Sequence, residues 1–106
     1  MSLSTHVLDA MSGRPAAGVA VTLTDATGAP LTAAATDDDG RIANLGADLS
    51  AGVYRLHFDT GSYFARLHVA TFYPEVVIAF EITDAAGKYH VPVLLSPYAY
   101  STYRGS

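Results

Sequence analysis

Tyr89-His90-Val91-Pro92-Val93-Leu94-Leu95, then Ser96-Pro97, then Tyr98-Ala99-Tyr100-Ser101-Thr102-Tyr103, is the stretch that decides the fold class of this chain. Side chains two apart in an extended segment share a face. Tyr89, Val91, Val93 and Leu95 therefore form one continuous apolar face, while His90, Pro92 and Leu94 point the other way. That is a strand with one side on a core, and Ser96-Pro97 predicts a turn into a second strand over residues 98–103. The same parity puts Ser101, Tyr103 and Gly105 on one face of the last strand and Tyr100, Thr102 and Arg104 on the other.

Upstream the pattern repeats. Residues 3–9, 19–24, 31–36, 41–43, 52–59 and 75–83 read as further strands rich in Val, Thr, Tyr, Phe and Leu, and nine glycines and five prolines punctuate the chain. The loop Met11-Ser12-Gly13-Arg14-Pro15 ends the first strand, Thr27-Gly28-Ala29-Pro30 turns between the second and third, and Asp37-Asp38-Asp39-Gly40 precedes the fourth. Ser62 stands in capping position before apolar residues at helical spacing, which predicts one short helix ending at His68. About eight strands and one helix predict an all-β, two-sheet sandwich.

The 106 residues include 6 basic, 10 acidic and no cysteine side chains, for a formal net charge of −4. A chain of this length buries roughly 60 to 70% of its unfolded surface, enough for a single domain over residues 1–106 with a modest core. Any pocket is then expected on a surface or between subunits. The missing cysteine excludes disulfide scaffolds, thiol catalysis and cysteine-ligated metals. Lys88 and five scattered arginines make no basic stripe, which argues against nucleic acid. No run approaches the roughly 18 apolar residues of a membrane span. The first residues lack the positive start and the apolar run of about 7 to 15 residues of a signal peptide, so the expected location is cytoplasmic.

Parity also sorts the polar groups. His6 shares a face with Ser4 and Leu8, and His90 points away from the core. If their strands are neighbours, one sheet carries His6, His90 and Tyr103 on its outer surface. Imidazole titrates near neutrality, so paired histidines there form a candidate acid–base site. Exposed strand histidines are also ordinary surface residues, and spacing alone leaves both readings open. His57 and His68 have no evident partner, and Arg55 and Arg66 read as solvated or structural. The triple aspartate lacks the alternating ligands and distant Glu of a calcium loop and reads as a tight turn. No local histidine pair suggests zinc, and no nucleophile elbow, phosphate loop or dinucleotide fingerprint is present, so no metal or cofactor is expected.

Leu3-Ser4-Thr5-His6-Val7-Leu8-Asp9, Asp39-Gly40-Arg41, His90-Val91-Pro92 through Leu94-Leu95-Ser96-Pro97-Tyr98, and the closing Tyr103-Arg104-Gly105-Ser106 together resemble the 5-hydroxyisourate hydrolase family, the transthyretin-related branch of urate breakdown. The match runs in order over nearly the whole chain, and its ending is the most specific part. Similarity to transthyretin itself covers Val7-Leu8-Asp9-Ala10 and Leu94-Leu95-Ser96-Pro97-Tyr98, but a hormone carrier would lack the two histidines and the Tyr-Arg-Gly-Ser ending.

The resemblance implies two four-stranded sheets with one short helix, and a homotetramer with sites where dimers meet. It implies that His6, Arg41 and His90 are catalytic, that Tyr103, Arg104, Gly105 and Ser106 line the substrate site, and that no cofactor is needed. The implied reaction is hydrolytic opening of 5-hydroxyisourate to 2-oxo-4-hydroxy-4-carboxy-5-ureidoimidazoline, with His6 or His90 as base and Arg41 polarising the carbonyl. Parity turns Arg104 to the face opposite Tyr103, and its expected partner is a carboxylate or the chain terminus of a neighbour. The competing expectations are a non-enzymatic transthyretin-like protein binding a small ligand, and a stand-alone interaction domain.

Overall fold

The apolar face read from Tyr89 to Leu95 is buried at every position, and its strand is the spine of one sheet. In the computed structural model, which describes residues 1–46 and 48–106, the described residues form nine strands and one helix. Their order is β1 (Ser2–Asp9), β2 (Arg14–Pro15), β3 (Ala20–Asp25), β4 (Pro30–Ala35), β5 (Arg41–Gly46), β6 (Gly52–Phe58), α1 (Thr60–Arg66), β7 (Val76–Ile82), β8 (Lys88–Ser96) and β9 (Ala99–Thr102).

β1 and β8 run parallel, in register from Ser2 opposite Lys88 to Asp9 opposite Leu95. β9 folds back antiparallel on β8, with Leu94 opposite Ser101. β5 and β2 pair with the remaining edge of β1, and the second sheet is antiparallel throughout in the order β4-β3-β6-β7. Leu3 and Val7 of β1 and Val91, Val93 and Leu95 of β8 form the core with Val21, Leu23, Leu56, Phe58, Val76 and Ile82 of the facing sheet. The all-β sandwich stands as expected.

Three local readings change. The first sheet has five strands rather than four, because Arg14 and Pro15 leave the expected loop to pair with Asp9 and Leu8. Two residues are too few to show a period. The strand expected over residues 41–43 continues to Gly46. The helix starts earlier than expected, and its cap is Asp59: the carboxylate accepts from the Ser62 backbone N–H at 3.2 Å and from the Ser62 hydroxyl at 2.7 Å. Ser62 is thus the third helical residue, and His68 lies beyond the C-cap Leu67, at φ 57°.

Two features position the site. In the tight turn before β5, one Asp37 carboxylate oxygen accepts from the backbone N–H groups of Asp39 and Arg41, both at 2.9 Å. Gly40 closes this turn at φ 75°, and a Cβ there would collide with the Val7 carbonyl. Its own carbonyl accepts from Val7 N–H at 2.7 Å, which ties the turn to β1. At the far end of β1, Asp9 is buried. One of its oxygens accepts from the Met11 and Ser12 N–H groups, and the other from the Tyr63 hydroxyl at 2.8 Å. Burial, then the hydrogen bond to Asp9 and its charge, push the Tyr63 hydroxyl up to about 12.

Tyr63→Phe leaves one buried Asp9 oxygen without a donor, a change that costs about 1–3 kcal/mol. The expected result is a lower urea midpoint with an unchanged slope of the unfolding transition.

Candidate active site

The outer face of β1 carries Ser4 and His6, and the ladders on either side bring two more functional groups to it. Across β5, Arg41 is the direct partner of His6; across β8, His90 is the direct partner of Ser4. After β9 the chain returns to β8 at a single bridge between Gly105 and His90, where Gly105 N–H donates to the His90 carbonyl at 2.9 Å. Only glycine fits there: a Cβ would stand 2.5 Å from His90 Cδ2 and 3.1 Å from Pro92 Cγ. The tail therefore lies flat against the His90 ring.

Ser4, Asp37, Arg41, His90, Gly105 and Ser106 wall an open cleft of about 660 Å³. Lys88 and Arg104 also line it, so it carries an excess of positive charge around one imidazole. His90 Nδ1 lies 2.8 Å from the Ser4 hydroxyl, leaving Nε2 as the ring nitrogen that Ser4 does not engage. The imidazole is held below its ordinary value near 6.5, by burial first, then by the charges of Arg41 and His6, while a hydrogen bond to the Ser4 backbone opposes the shift. At neutral pH the ring is neutral and can accept a proton.

His6 stands beside the cleft rather than in its wall. Its Nε2 lies 3.0 Å from the Asp39 carbonyl. A carbonyl only accepts, so Nε2 carries the hydrogen and His6 clasps the turn that leads into Arg41.

The four tail residues divide. Gly105 and Ser106 form the wall beside His90. Arg104 also lines the cleft, and within the chain its partners lie on β8. Its guanidinium lies 4.8 Å over the Tyr89 ring and donates to the Lys88 carbonyl at 3.4 Å. The Tyr89 hydroxyl in turn accepts from the Thr83 and Asp84 N–H groups, at 3.1 and 3.0 Å. Tyr103 is 61% exposed and borders an adjoining hollow of about 300 Å³ toward β7 instead of the main cleft.

The other basic groups have separate roles. His57 Nε2 lies 3.1 Å from the Thr24 hydroxyl, both within the second sheet, and Arg66 donates to the Gly18 carbonyl at 2.8 Å. Ser4 and Asp37 are among the cleft residues with no assigned site role in the sequence reading. Ser4 carried one signal, its two-residue spacing from His6; Asp37 read only as part of a turn.

The model of the HIUase/transthyretin family matches residues 3–105. The chain belongs to this family. As a family member it is similar to the 5-hydroxyisourate hydrolase of Salmonella typhimurium, which is 47% identical over 109 residues, covering 98% of this chain and 80% of that protein. The solved structure of Klebsiella pneumoniae 5-hydroxyisourate hydrolase superposes with a TM-score of 0.93 at 42% identity, over 100% of both chains. Transthyretin from Sparus aurata superposes with a TM-score of 0.91 at 32% identity, over 98% of this chain and 96% of that one.

The cause of the His90 shift is open to measurement. Followed by imidazole NMR, His90 is expected to titrate below 6.5, and Arg41→Gln, which removes a positive charge that disfavours imidazolium, to move it upward toward that ordinary value.

Proposed function

We propose that this chain hydrolyses 5-hydroxyisourate to 2-oxo-4-hydroxy-4-carboxy-5-ureidoimidazoline, with His90 as general base and Arg41 as the electrostatic partner of the reacting carbonyl. The observation that carries this reading is the neutral His90 imidazole sharing one cleft with a guanidinium, in a chain whose hydrolase relatives match it over nearly its full length.

As a water oxygen attacks a ring carbonyl carbon, His90 Nε2 takes its proton, an effect typically worth about 10² to 10⁴ in rate. The carbonyl oxygen becomes an oxyanion, and Arg41, always charged and able only to donate, stabilises it. When the adduct collapses, the ring carbon–nitrogen bond breaks and the imidazolium returns its proton to the departing nitrogen. The ring opens to a carboxyl product and His90 is neutral again. His6 acts from behind, holding the Arg41 turn through Asp39. Gly105 and Ser106 form the wall against which the substrate ring is oriented, with Arg104 anchoring them and Tyr103 at the margin.

The functional unit is a homotetramer whose clefts face one another across the dimer–dimer interface. Supporting this are a cleft that lies open at the protein surface and the exposed Tyr103 ring in the hollow that adjoins it. The whole chain acts as one domain, in the cytoplasm; among the described residues no helix is long and apolar enough to cross a membrane. The carrier reading is less well supported, because a cleft walled by His90, Arg41, Asp37 and Lys88 presents charge where an apolar ligand needs none.

The test is the ultraviolet decay of 5-hydroxyisourate, generated in place from urate by urate oxidase, with and without the protein. Decay is expected to accelerate, with His90→Asn lowering kcat by about 10² to 10⁴ while KM changes far less. No acceleration from the folded protein would overturn the hydrolase reading in favour of the carrier. Residues added after Ser106 are expected to lower activity without lowering stability, because they crowd the cleft and leave the core intact.

A further inference from the structure

Ser4 is the side chain bonded to a nitrogen of the His90 ring, and the reaction scheme gives it no role. Its place is set by backbone geometry. Ser4 and His90 are direct partners on the parallel β1–β8 ladder, and on the next rung the Thr5 hydroxyl donates to the Val91 carbonyl at 2.7 Å, inside the core. Ser4 itself is half-buried.

We infer that Ser4 is a positioning residue that holds His90 as its Nδ1–H tautomer, its hydroxyl accepting the Nδ1 proton so that the Nε2 lone pair faces the cleft. The ring has two restraints against turning over. A flip about the Cβ–Cγ bond exchanges Nδ1 with Cδ2, which breaks the Ser4 contact, and Cδ2 already lies against Gly105. The choice between tautomers follows from what shares the cleft. Arg41 carries only N–H donors, so an Nε2–H would set donor toward donor, whereas an Nε2 lone pair complements them. A serine hydroxyl donates or accepts as required, and here the acceptor role is the one consistent with the cleft. The charged and titratable groups around the ring are Arg41 and Asp37 from β5 and its turn, His6 from β1, Lys88 and Tyr89 from β8, Tyr103 and Arg104 from the tail, and Glu81 from β7 across the adjoining hollow.

The inference deepens the hydrolase reading and rests on it only for its kinetic consequence. Without Ser4, neutral His90 is free to place its hydrogen on Nε2, the form that cannot accept a proton from water at that atom. Removal of an acceptor that favours the protonated ring also moves its titration further down.

The experiment reads the tautomer in the free protein. In protein labelled with ¹⁵N-histidine, long-range ¹H–¹⁵N correlation at slightly alkaline pH is expected to show His90 with a protonated Nδ1 and a bare Nε2. Ser4→Ala is expected to shift the population toward Nε2–H and to lower kcat about five- to tenfold, the scale of one neutral hydrogen bond, with little change in KM. The acidic limb of the kcat/KM profile moves to lower pH in the same variant, which a purely structural loss would not produce. Ser4→Thr keeps the hydroxyl and restores both readouts. Nε2–H in the wild-type protein, or a Ser4→Ala variant with unchanged tautomer and kcat, would overturn the inference even if the protein is fully active. An inactive wild type that still carries Nδ1–H overturns the hydrolase reading and supports the tautomer assignment.

Discussion

The parallel pairing of β1 with β8 is the constraint on which the rest of the molecule depends. Its two strands stand 86 positions apart in the chain, and every other part of the first sheet is attached to one of them. The pairing puts Leu3 beside Tyr89 and Val7 beside Val93 on the inner face, and Ser4 beside His90 on the outer. A slip of one residue would turn each set to the wrong side, losing core and cleft together. Burial of the inner set thus sets the geometry of the outer one. Loop closure over so long a separation makes this ladder a contact that forms against a substantial entropic cost, and only the assembled sandwich repays it.

Much of this was readable from local pattern, because a strand's period of two is a property of neighbouring residues. Alternation from Tyr89 to Leu95 was enough to place His90 outside the core. Partnership across strands is not local. Nothing in the chain says that Ser4 meets His90 or that Arg41 meets His6, since those follow from register. The ends of elements failed for a different reason. Asp59 and Ser62 are both good capping residues, and the choice goes to Asp59 because its two carboxylate oxygens serve both the backbone and the hydroxyl of Ser62. The resemblance to a hydrolase family named candidate site residues, yet it could not say that His6 and Tyr103 stand at the cleft margin while Ser4 and Asp37 form part of its wall.

The two histidines illustrate how one side chain is given two roles by its partners. His6 faces a carbonyl, which only accepts and so determines which nitrogen carries the hydrogen. His90 faces a hydroxyl, which permits either arrangement, and its burial beside Arg41 makes the neutral ring the stable form. The glycine at 105 completes this arrangement by letting the tail backbone approach the ring closely enough to limit its rotation.

Inward and outward residues alternate along β1, and along β8 except at the buried Pro92, so the groups that support the sandwich and the groups that meet the solvent belong to two interleaved texts written on the same strands. Leu3, Val7, Val91 and Val93 spell one; Ser4, His6 and His90 spell the other. A substitution in the second leaves the first legible. A lineage built on this sheet can therefore exchange its chemistry letter by letter while inheriting an unaltered scaffold.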